Sequence, residues 1–346
     1  MELYEVAIKP EAGFGSPLKG DTIFGHFCWQ AKYDPSLLSG GLDKWIAQYE
    51  KVPFAVFSSA WPKLFHDKPC YALKKPDAPF DYLFDSTVER DRKARHERFK
   101  EAKRKKWLLV GEDLRIDVET ARFATDSDLA QLAKTQLVRE TKERRHTRDP
   151  QNFVASFEQP HNTINRLTGT TGEGMFAPFS ESTFYFYPQT ELAIFVWISE
   201  EATSIDRVCK GLERIGQFGY GKNASTGLGR FSVSGTAEIS VGPLHDSPNA
   251  CYMLGPGVPE QGKFKELFYS PFIRFGKHGD VLARSANPFK NPIVMADEGA
   301  ILVPRDSSVF ARPYLGKAVL NVSKALPQSV AQGYSLFLPL KLEMRK

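Results

Sequence analysis

The sequence predicts an α+β protein. A ferredoxin-like (RRM-like) N-terminal domain covers residues 1–241 and carries a long charged insertion at about 64–160. A smaller β-rich, ferredoxin-like C-terminal domain covers 242–346. Three observations lead there. Apolar periodicity places elements in the order strand, helix, strand, insertion, strand, helix, glycine loop, strand; without the insertion this is β-α-β-β-α-β. A Pro- and Gly-rich patch at Val241–Pro259 separates that unit from a stretch alternating short strands with turns. A chain of 346 residues is long enough for two modest cores.

The first strand is read at Leu3–Lys9, where Leu3, Glu5, Ala7 and Lys9 alternate with Tyr4, Val6 and Ile8. The turn-rich Pro10–Gly20 leads to a helix opening at Asp21 or Thr22, both good N-caps. Its stripe of Ile23, Phe24, Phe27, Cys28 and Ala31 faces a core, and Thr22, His26 and Gln30 share the other face. A second strand follows at Val52–Ser58. Residues 64–160 are polar, charged and poorly periodic apart from Trp107–Val110, and read as a partly helical insertion. Ser182–Tyr187 and Leu192–Ser199 read as a hairpin joined by Pro188-Gln-Thr-Glu. The next helix takes Thr203 as N-cap with Asp206 three residues on. It carries Ile205, Val208, Leu212 and Ile215 on one face and ends at Gly216 as a C′ glycine. A strand at Gly229–Val241 closes the unit. Beyond the boundary the clearest strands are Leu267–Phe275, Ala300–Val303 and Tyr334–Glu343.

Composition is that of a soluble globular chain, 42% hydrophobic and 25% charged. The opening Met-Glu-Leu-Tyr-Glu has no basic n-region or apolar h-region, so secretion is not expected, and no apolar run approaches a membrane span. A cytoplasmic protein is expected. Cys28, Cys70, Cys209 and Cys251 are isolated and lack ligand spacing, which favours free thiols over a zinc site; no cofactor is expected. The net charge of +5 is unevenly placed. Residues 90–106 hold ten Lys/Arg against three acids, and residues 139–148 five against two, so the remaining chain is acidic. A concentrated cationic arm on an acidic body points to a polyanionic partner; the plainer alternative is a solvated charged helix.

Two glycine loops carry the chemistry. Gly216–Arg230 holds five glycines in fifteen residues, and Gly216, Gly221 and Lys222 have Walker spacing. A Walker loop runs from strand to helix, however, whereas a helix precedes this loop and a strand follows it. Asn223 also stands where the magnesium-binding hydroxyl belongs, so a nucleotide triphosphatase is not expected. A backbone cradle for a nucleic-acid phosphate fits the order: Gly219, Tyr220, Gly221, Gly227 and Gly229 shape it, Lys222 and Arg230 supply charge, and Ser225 and Thr226 donate hydroxyls. The plain alternative is a tight helix-to-strand connection. The second loop, His161–Gly174, offers Asn165, Arg166, Thr168, Gly169, Thr170 and Thr171, the equipment for phosphate, sugar and unstacked-base contacts. Phe176 and Phe179 can stack on bases or fill a core. Glu173 would repel phosphate and can instead orient Arg166 or bind a protein partner. Lys19 is a further candidate contact.

Together these features resemble the RAMP superfamily of CRISPR-associated RNA-binding proteins, whose ferredoxin-like units carry a glycine-rich loop after the second helix. Four segments narrow the likeness: Ser16-Pro-Leu-Lys-Gly-Asp-Thr-Ile-Phe-Gly-His26, Ile164-Asn-Arg-Leu-Thr-Gly-Thr-Thr-Gly-Glu-Gly174, Gly216–Arg230 and Gln332-Gly-Tyr-Ser-Leu-Phe-Leu-Pro339. In that order they resemble the Cas-five-like fourth subunits of type III-A (Csm) effector complexes, most weakly over 64–160 and 242–300. The resemblance implies a non-catalytic subunit in antiviral defence that holds the 5′ tag of the guide RNA (crRNA). It also implies docking of the large polymerase/cyclase-like subunit and the first RAMP backbone subunit, with target RNA met only indirectly and no membrane involved. A thumb that crosses and kinks the guide would fall within 86–160.

The rival reading is a RAMP endoribonuclease cleaving CRISPR repeat RNA, with His26 as general acid/base and Lys19 or Tyr220 assisting. No second histidine or His/Lys/Tyr cluster is evident from spacing, which favours a structural or RNA-contacting role for His26, and likewise for His161. Asp21 reads as a helix cap rather than a metal ligand. A generic single-strand binder would explain the basic arm but not two distinct glycine loops.

Overall fold

Strand β1 (Glu2–Pro10) is paired antiparallel on both sides, and its register fixes the layout of the chain. In the computed structural model, which describes residues 2–66, 68–84, 92–144, 152–241 and 247–343, it is followed by α1 (Gly20–Tyr33), α2 (Leu42–Gln48), β2 (Ala55–His66), β3 (Lys68–Lys74) and α3 (Phe80–Leu83). Next come α4 (Arg92–Arg104), β4 (Trp107–Gly111), β5 (Arg122–Ala124), α5 (Asp126–Gln136), α6 (Arg139–Arg144), β6 (Val154–His161) and β7 (Phe179–Phe186). The unit closes with β8 (Glu191–Ile198), α7 (Ile205–Phe218) and β9 (Phe231–Ser240). Seven strands form an antiparallel sheet in the order β5-β4-β3-β2-β8-β1-β9. Residues 90–91 and 145–148 of the two basic runs, and 242–246 of the expected boundary, lie outside the described residues.

The centre of the sheet follows from β8, whose Leu192–Val196 run is apolar on both faces and fully buried. Such a strand needs neighbours on both edges, and it lies between β1 and β2, with Val6 opposite Ile194 and Phe57 opposite Val196. This overturns the expected hairpin. β7, half exposed along its length, pairs with β6 in a separate two-stranded ribbon, with Gln159 opposite Glu181. The turn between β7 and β8 places Gln189 at φ 58°.

Helices α1 and α7 pack on the sheet and on one another. Ile23, Phe24, Phe27 and Ala31 of α1 and Val208, Leu212 and Ile215 of α7 are buried, as the spacing predicts. Both caps differ from expectation. α1 starts after Lys19, which makes no side-chain cap bond, and Asp21 instead receives two hydrogen bonds from Arg274 at 2.6 and 2.8 Å. In α7 the N-cap is Ser204, whose hydroxyl accepts from Arg207 N, while Thr203 donates to Leu37 O at 2.8 Å. The helix also runs past Gly216 to Phe218, and Gly219 at φ 98° ends it.

Residues 64–160 divide. β2 extends to His66, β3 pairs with it, and the apolar Trp107–Val110 segment is β4, so three strands of this region widen the sheet. Helix α5, closed by a Thr125/Asp128 capping box, covers a small second core of Leu64, Ala72, Leu129, Ala133, Leu137, Phe153 and Tyr187. α4 carries the first basic run.

The C-terminal strands are β10 (Ala250–Met253), β11 (Phe264–Phe268), β12 (Pro271–Arg274), β13 (Ile293–Ala296), β14 (Ile301–Pro304), β15 (Tyr314–Gly316) and β16 (Tyr334–Leu340). Five of them form a sheet in the order β11-β14-β10-β16-β15, and β12 pairs with β13. The single strand expected at Leu267–Phe275 is therefore two strands in two sheets. One hydrophobic core runs through both units, joining Leu3, Phe57 and Phe195 to Ile301, Leu336 and Leu338. Among the described residues no helix is long and apolar enough to cross a membrane.

Candidate nucleic-acid interface

The Gly216–Arg230 loop is fastened to the segment that follows β1. Tyr220, 1% exposed, donates its hydroxyl to Pro17 O at 2.9 Å, and its ring lies 4.8 Å from that of His26. Gly221 N donates to His26 Nε2 (3.2 Å), Lys222 N to Ser16 Oγ (3.0 Å) and Gly229 N to Gly13 O (2.8 Å). Two glycines are required by approach. A Cβ at Gly216 would lie 2.0 Å from Phe231 O, and one at Gly229, where φ is 73°, 2.1 Å from Tyr220 O. Between these anchors Asn223 takes a left-handed conformation and the loop closes on itself, with Thr226 Oγ1 donating to Asn223 O at 2.9 Å. Lys222, Ser225, Thr226 and Arg230 are left exposed.

The second loop is the tip of the β6–β7 ribbon. Asn165 N donates to Thr170 O (3.0 Å), Gly169 N to Asn165 O (2.8 Å) and Leu167 N to Asn165 Oδ1 (3.0 Å), a self-contained turn with Gly169 at φ 69°. Arg166, Thr168, Thr170 and Thr171 are exposed, and so are Phe157 and Phe179 on the ribbon. Phe179 stacks on His161 with centroids 5.2 Å apart. The ribbon is held to the body by paired backbone bonds between Phe14 and Phe184 at 2.9 and 3.0 Å.

Glu181, a residue with no signature in the sequence, brings the loops together. Its carboxylate accepts from Asn223 Nδ2 and lies 3.6 Å from Lys222 Nζ and 3.8 Å from His161 Nε2. The loop end of the ribbon's paired strands is thereby joined to the glycine loop, so the start of the second loop lies beside the first although the two are distant in sequence. The sequence offers no cue to this, because an isolated acid beside an alternating strand reads as a solvated side chain.

Other sequence-predicted residues lie elsewhere. Lys19 is turned inward: its ammonium bonds Asp297 and, at 2.7 Å, Glu298, and sits over the Phe272 ring. Burial raises the pKa of Glu298, with Lys19 opposing the shift and Asp297 adding to it. For Asp297 burial is the largest influence and works upward, but the charge and hydrogen bond of Lys19, with Glu298 and Lys74, together outweigh it and lower the pKa. Lys74 approaches the same pair, donating to Glu298 O at 2.9 Å. His26 lies under Tyr220, and burial lowers its pKa to about 4. Because Nε2 accepts from Gly221 N, it carries no proton there and holds the loop. A groove of about 570 Å³ between β4 and α5, lined by Cys70, Leu109, Arg122, Asp128, Gln131 and Thr135 among others, lies away from both loops. Among the described residues no group of His, Cys, Asp and Glu is arranged to hold a metal.

The molecule is thus a mixed α/β protein built on a mostly antiparallel sheet, with two glycine-bearing loops joined at one rim. Solved structures share this fold. The chain is similar over 100% of its length, and 100% of the other chain's, to one in the crystal structure of the Csm1-Csm4 cassette in complex with pppApA, at TM-score 0.54 and 14% identity. The cassette in complex with cA4 gives 0.54 and 15% over the same coverage. The Csm3-Csm4 subcomplex in the type III-A CRISPR-Cas interference complex gives 0.53 and 12% over 99% of this chain and 100% of that one. At these identities the likeness is one of fold. No protein-family model and no curated protein matches the sequence.

Proposed function

We propose that this chain is a non-catalytic RNA-binding subunit of a type III CRISPR effector complex, holding the 5′ tag of the guide RNA on the rim formed by its two glycine loops. The observation that carries the reading is Glu181, which joins Lys222 and Asn223 of the glycine loop to His161 at the start of the second loop, while Lys222, Arg230 and Arg166 are all exposed. Exposed cations, hydroxyls and backbone amides over a rigid scaffold suit a phosphate backbone, and exposed Phe157 and Phe179 suit unstacked bases. The β2-β8-β1-β9 order, with α1 and α7 packed together, supports the ferredoxin-like assignment of the N-terminal unit.

The full-length likeness to chains in Csm1-Csm4 and Csm3-Csm4 structures supports a place between a large subunit and a backbone subunit. The β6–β7 ribbon, tied to the glycine loop through Glu181, suits the role of the thumb that the resemblance led us to expect within 86–160. For the nuclease alternative, His26 is a poor candidate, since its Nε2 is occupied by a backbone amide and burial disfavours its protonated form.

The test is binding of guide RNA with and without its 5′ tag to wild type and Lys222→Ala/Arg166→Ala. The variant is expected to bind tagged RNA more weakly, with a salt slope smaller by about 1.4, or about 0.7 per lost phosphate contact. Unchanged binding of the tagged RNA would sink the assignment.

A further inference from the structure

We infer that α4 forms a second nucleic-acid surface, on the opposite edge of the sheet from the glycine loops, which takes the phosphate backbone of a single strand. The placement comes from topology. The glycine loop feeds β9, one edge of the sheet, whereas α4 feeds β4 and is bonded to the other edge through Lys106 N to Ala124 O (3.0 Å) and Lys75 Nζ to Ala102 O (3.1 Å). Five strand spacings, about 24 Å, separate β9 from β4. In sequence the cationic run and the glycine loops merge into one notional RNA site; in the fold they do not.

The helix surface is sorted by charge. At 3.6 residues per turn, Lys93, His96, Lys100, Lys103 and Arg104 fall within about 100° of arc, with no acid among them. All five are exposed. The acids Glu97 and Glu101 lie on the adjoining flank, and Glu101 is paired with Lys105 at 3.1 Å. On the opposite side Ala102 is buried, while Phe99, half exposed at the edge of the stripe, has its ring 5.0 Å from that of Phe80. The stripe from Lys93 to Arg104 spans about 17 Å at 1.5 Å per residue, long enough to track several phosphates.

A nucleic acid fits this face better than an acidic protein. Protein interfaces are anchored by apolar or aromatic side chains in their centre. This stripe has none within its arc: the one large apolar residue on α4, Phe99, lies beside it, half exposed, with its ring against Phe80. A surface that offers charge without anchors gives sequence-independent, strongly salt-dependent binding.

The experiment titrates full-length protein with 20-nucleotide oligo-U and oligo-dT at several salt concentrations. It compares wild type, Lys100→Ser/Lys103→Ser/Arg104→Ser, the charge-conserving Lys100→Arg/Lys103→Arg/Arg104→Lys, and Lys222→Ala/Arg230→Ala. The serine variant is expected to bind at least fivefold more weakly, with a salt slope reduced by about 1–2, at about 0.7 per lost contact, while the charge-conserving variant binds as wild type. Equal loss for both oligonucleotides assigns a backbone common to RNA and DNA; loss for oligo-U alone assigns RNA. Adding the serine substitutions to Lys222→Ala/Arg230→Ala should remove the same further increment of slope. If that increment vanishes there, α4 is not a separate site and the inference fails. An unchanged affinity and slope in the serine variant, with or without loss of a co-purifying acidic protein, also overturns it.

Discussion

The side-chain amide of Gln332 closes both backbone hydrogen bonds of Phe57: Nε2 donates to Phe57 O at 2.8 Å, and Phe57 N donates to Oε1 at 2.9 Å. Both residues are fully buried, and they meet where β2 bulges between Phe57 and Ala60. Gln332→Leu keeps the volume and removes both partners. It is expected to lower unfolding free energy by about 2–4 kcal/mol, since each buried backbone group left unpaired costs about 1–3 kcal/mol. Urea denaturation checks this; an unchanged midpoint would mean that other groups satisfy the bulge.

Gly216 and Gly227 predict opposite kinds of defect. At Gly216 an added Cβ collides with the Phe231 carbonyl at 2.0 Å, backbone against backbone, so Gly216→Ala must part α7 from β9 and is expected to cost about 3 kcal/mol. At Gly227 there is open space and only φ of 98° to contend with, so Gly227→Ala should cost about 1–2 kcal/mol. Denaturant midpoints for the two variants give the order directly, and the reverse order would contradict the packing at Phe231.

His26 makes a pH prediction with a definite sign. Its folded-state pKa, lowered by burial from 6.5 to about 4, lies below the unfolded value, so the unfolded chain takes the proton first. The resulting contribution to stability is fully present above about pH 6.5 and is lost as pH falls towards 4. Unfolding measured at pH 7.5 and 4.5 should show a larger loss for wild type than for His26→Gln, which keeps an acceptor for Gly221 N but does not titrate. Parallel pH profiles would argue against a buried neutral imidazole.

Glu181 restrains the cations that the RNA would meet. Glu181→Gln preserves an acceptor for Asn223 Nδ2 and deletes the charge 3.6 Å from Lys222 Nζ. A partly exposed pair of this kind is worth about 0.5–1 kcal/mol, so RNA affinity at low salt should rise about two- to fivefold. Weaker binding would show that Glu181 matters more for the shape of the loop than for its charge.

What the sequence made legible was the part governed by periodicity. The 3.6-residue stripes of α1 and α7 and the apolar run of β8 are dense enough to declare their elements. β3 was not legible. Its buried Tyr71-Ala-Leu is too short a run between lysines to stand out, and the strand exists because β2 extends far enough to pair with it. The N-caps lie one to three positions from the expected ones: Ser204 competes with Thr203 at α7, and α1 starts after Lys19, with Asp21 claimed by Arg274, 253 residues away. Lys19 read as a free cation for the same reason: Asp297 and Glu298, which hold it, are about 280 positions distant. The glycine loops were visible; their union through Glu181 was not, because it rests on chain folding rather than on local pattern.

The fastening of the glycine loop at Tyr220, Gly221, Lys222 and Gly229 has a kinetic consequence. A cradle held at both ends has lost its conformational freedom during folding, so a strand arriving there meets cations already spaced and amides already aimed. If RNA is held at this rim as proposed, its capture would proceed at the rate of electrostatic encounter, without waiting for a loop to close. The ribbon tip at Asn165–Thr171 bonds mainly to itself and stands proud of the body. On the proposed function, binding would have an order in time, with the rigid rim receiving the strand before the ribbon tip.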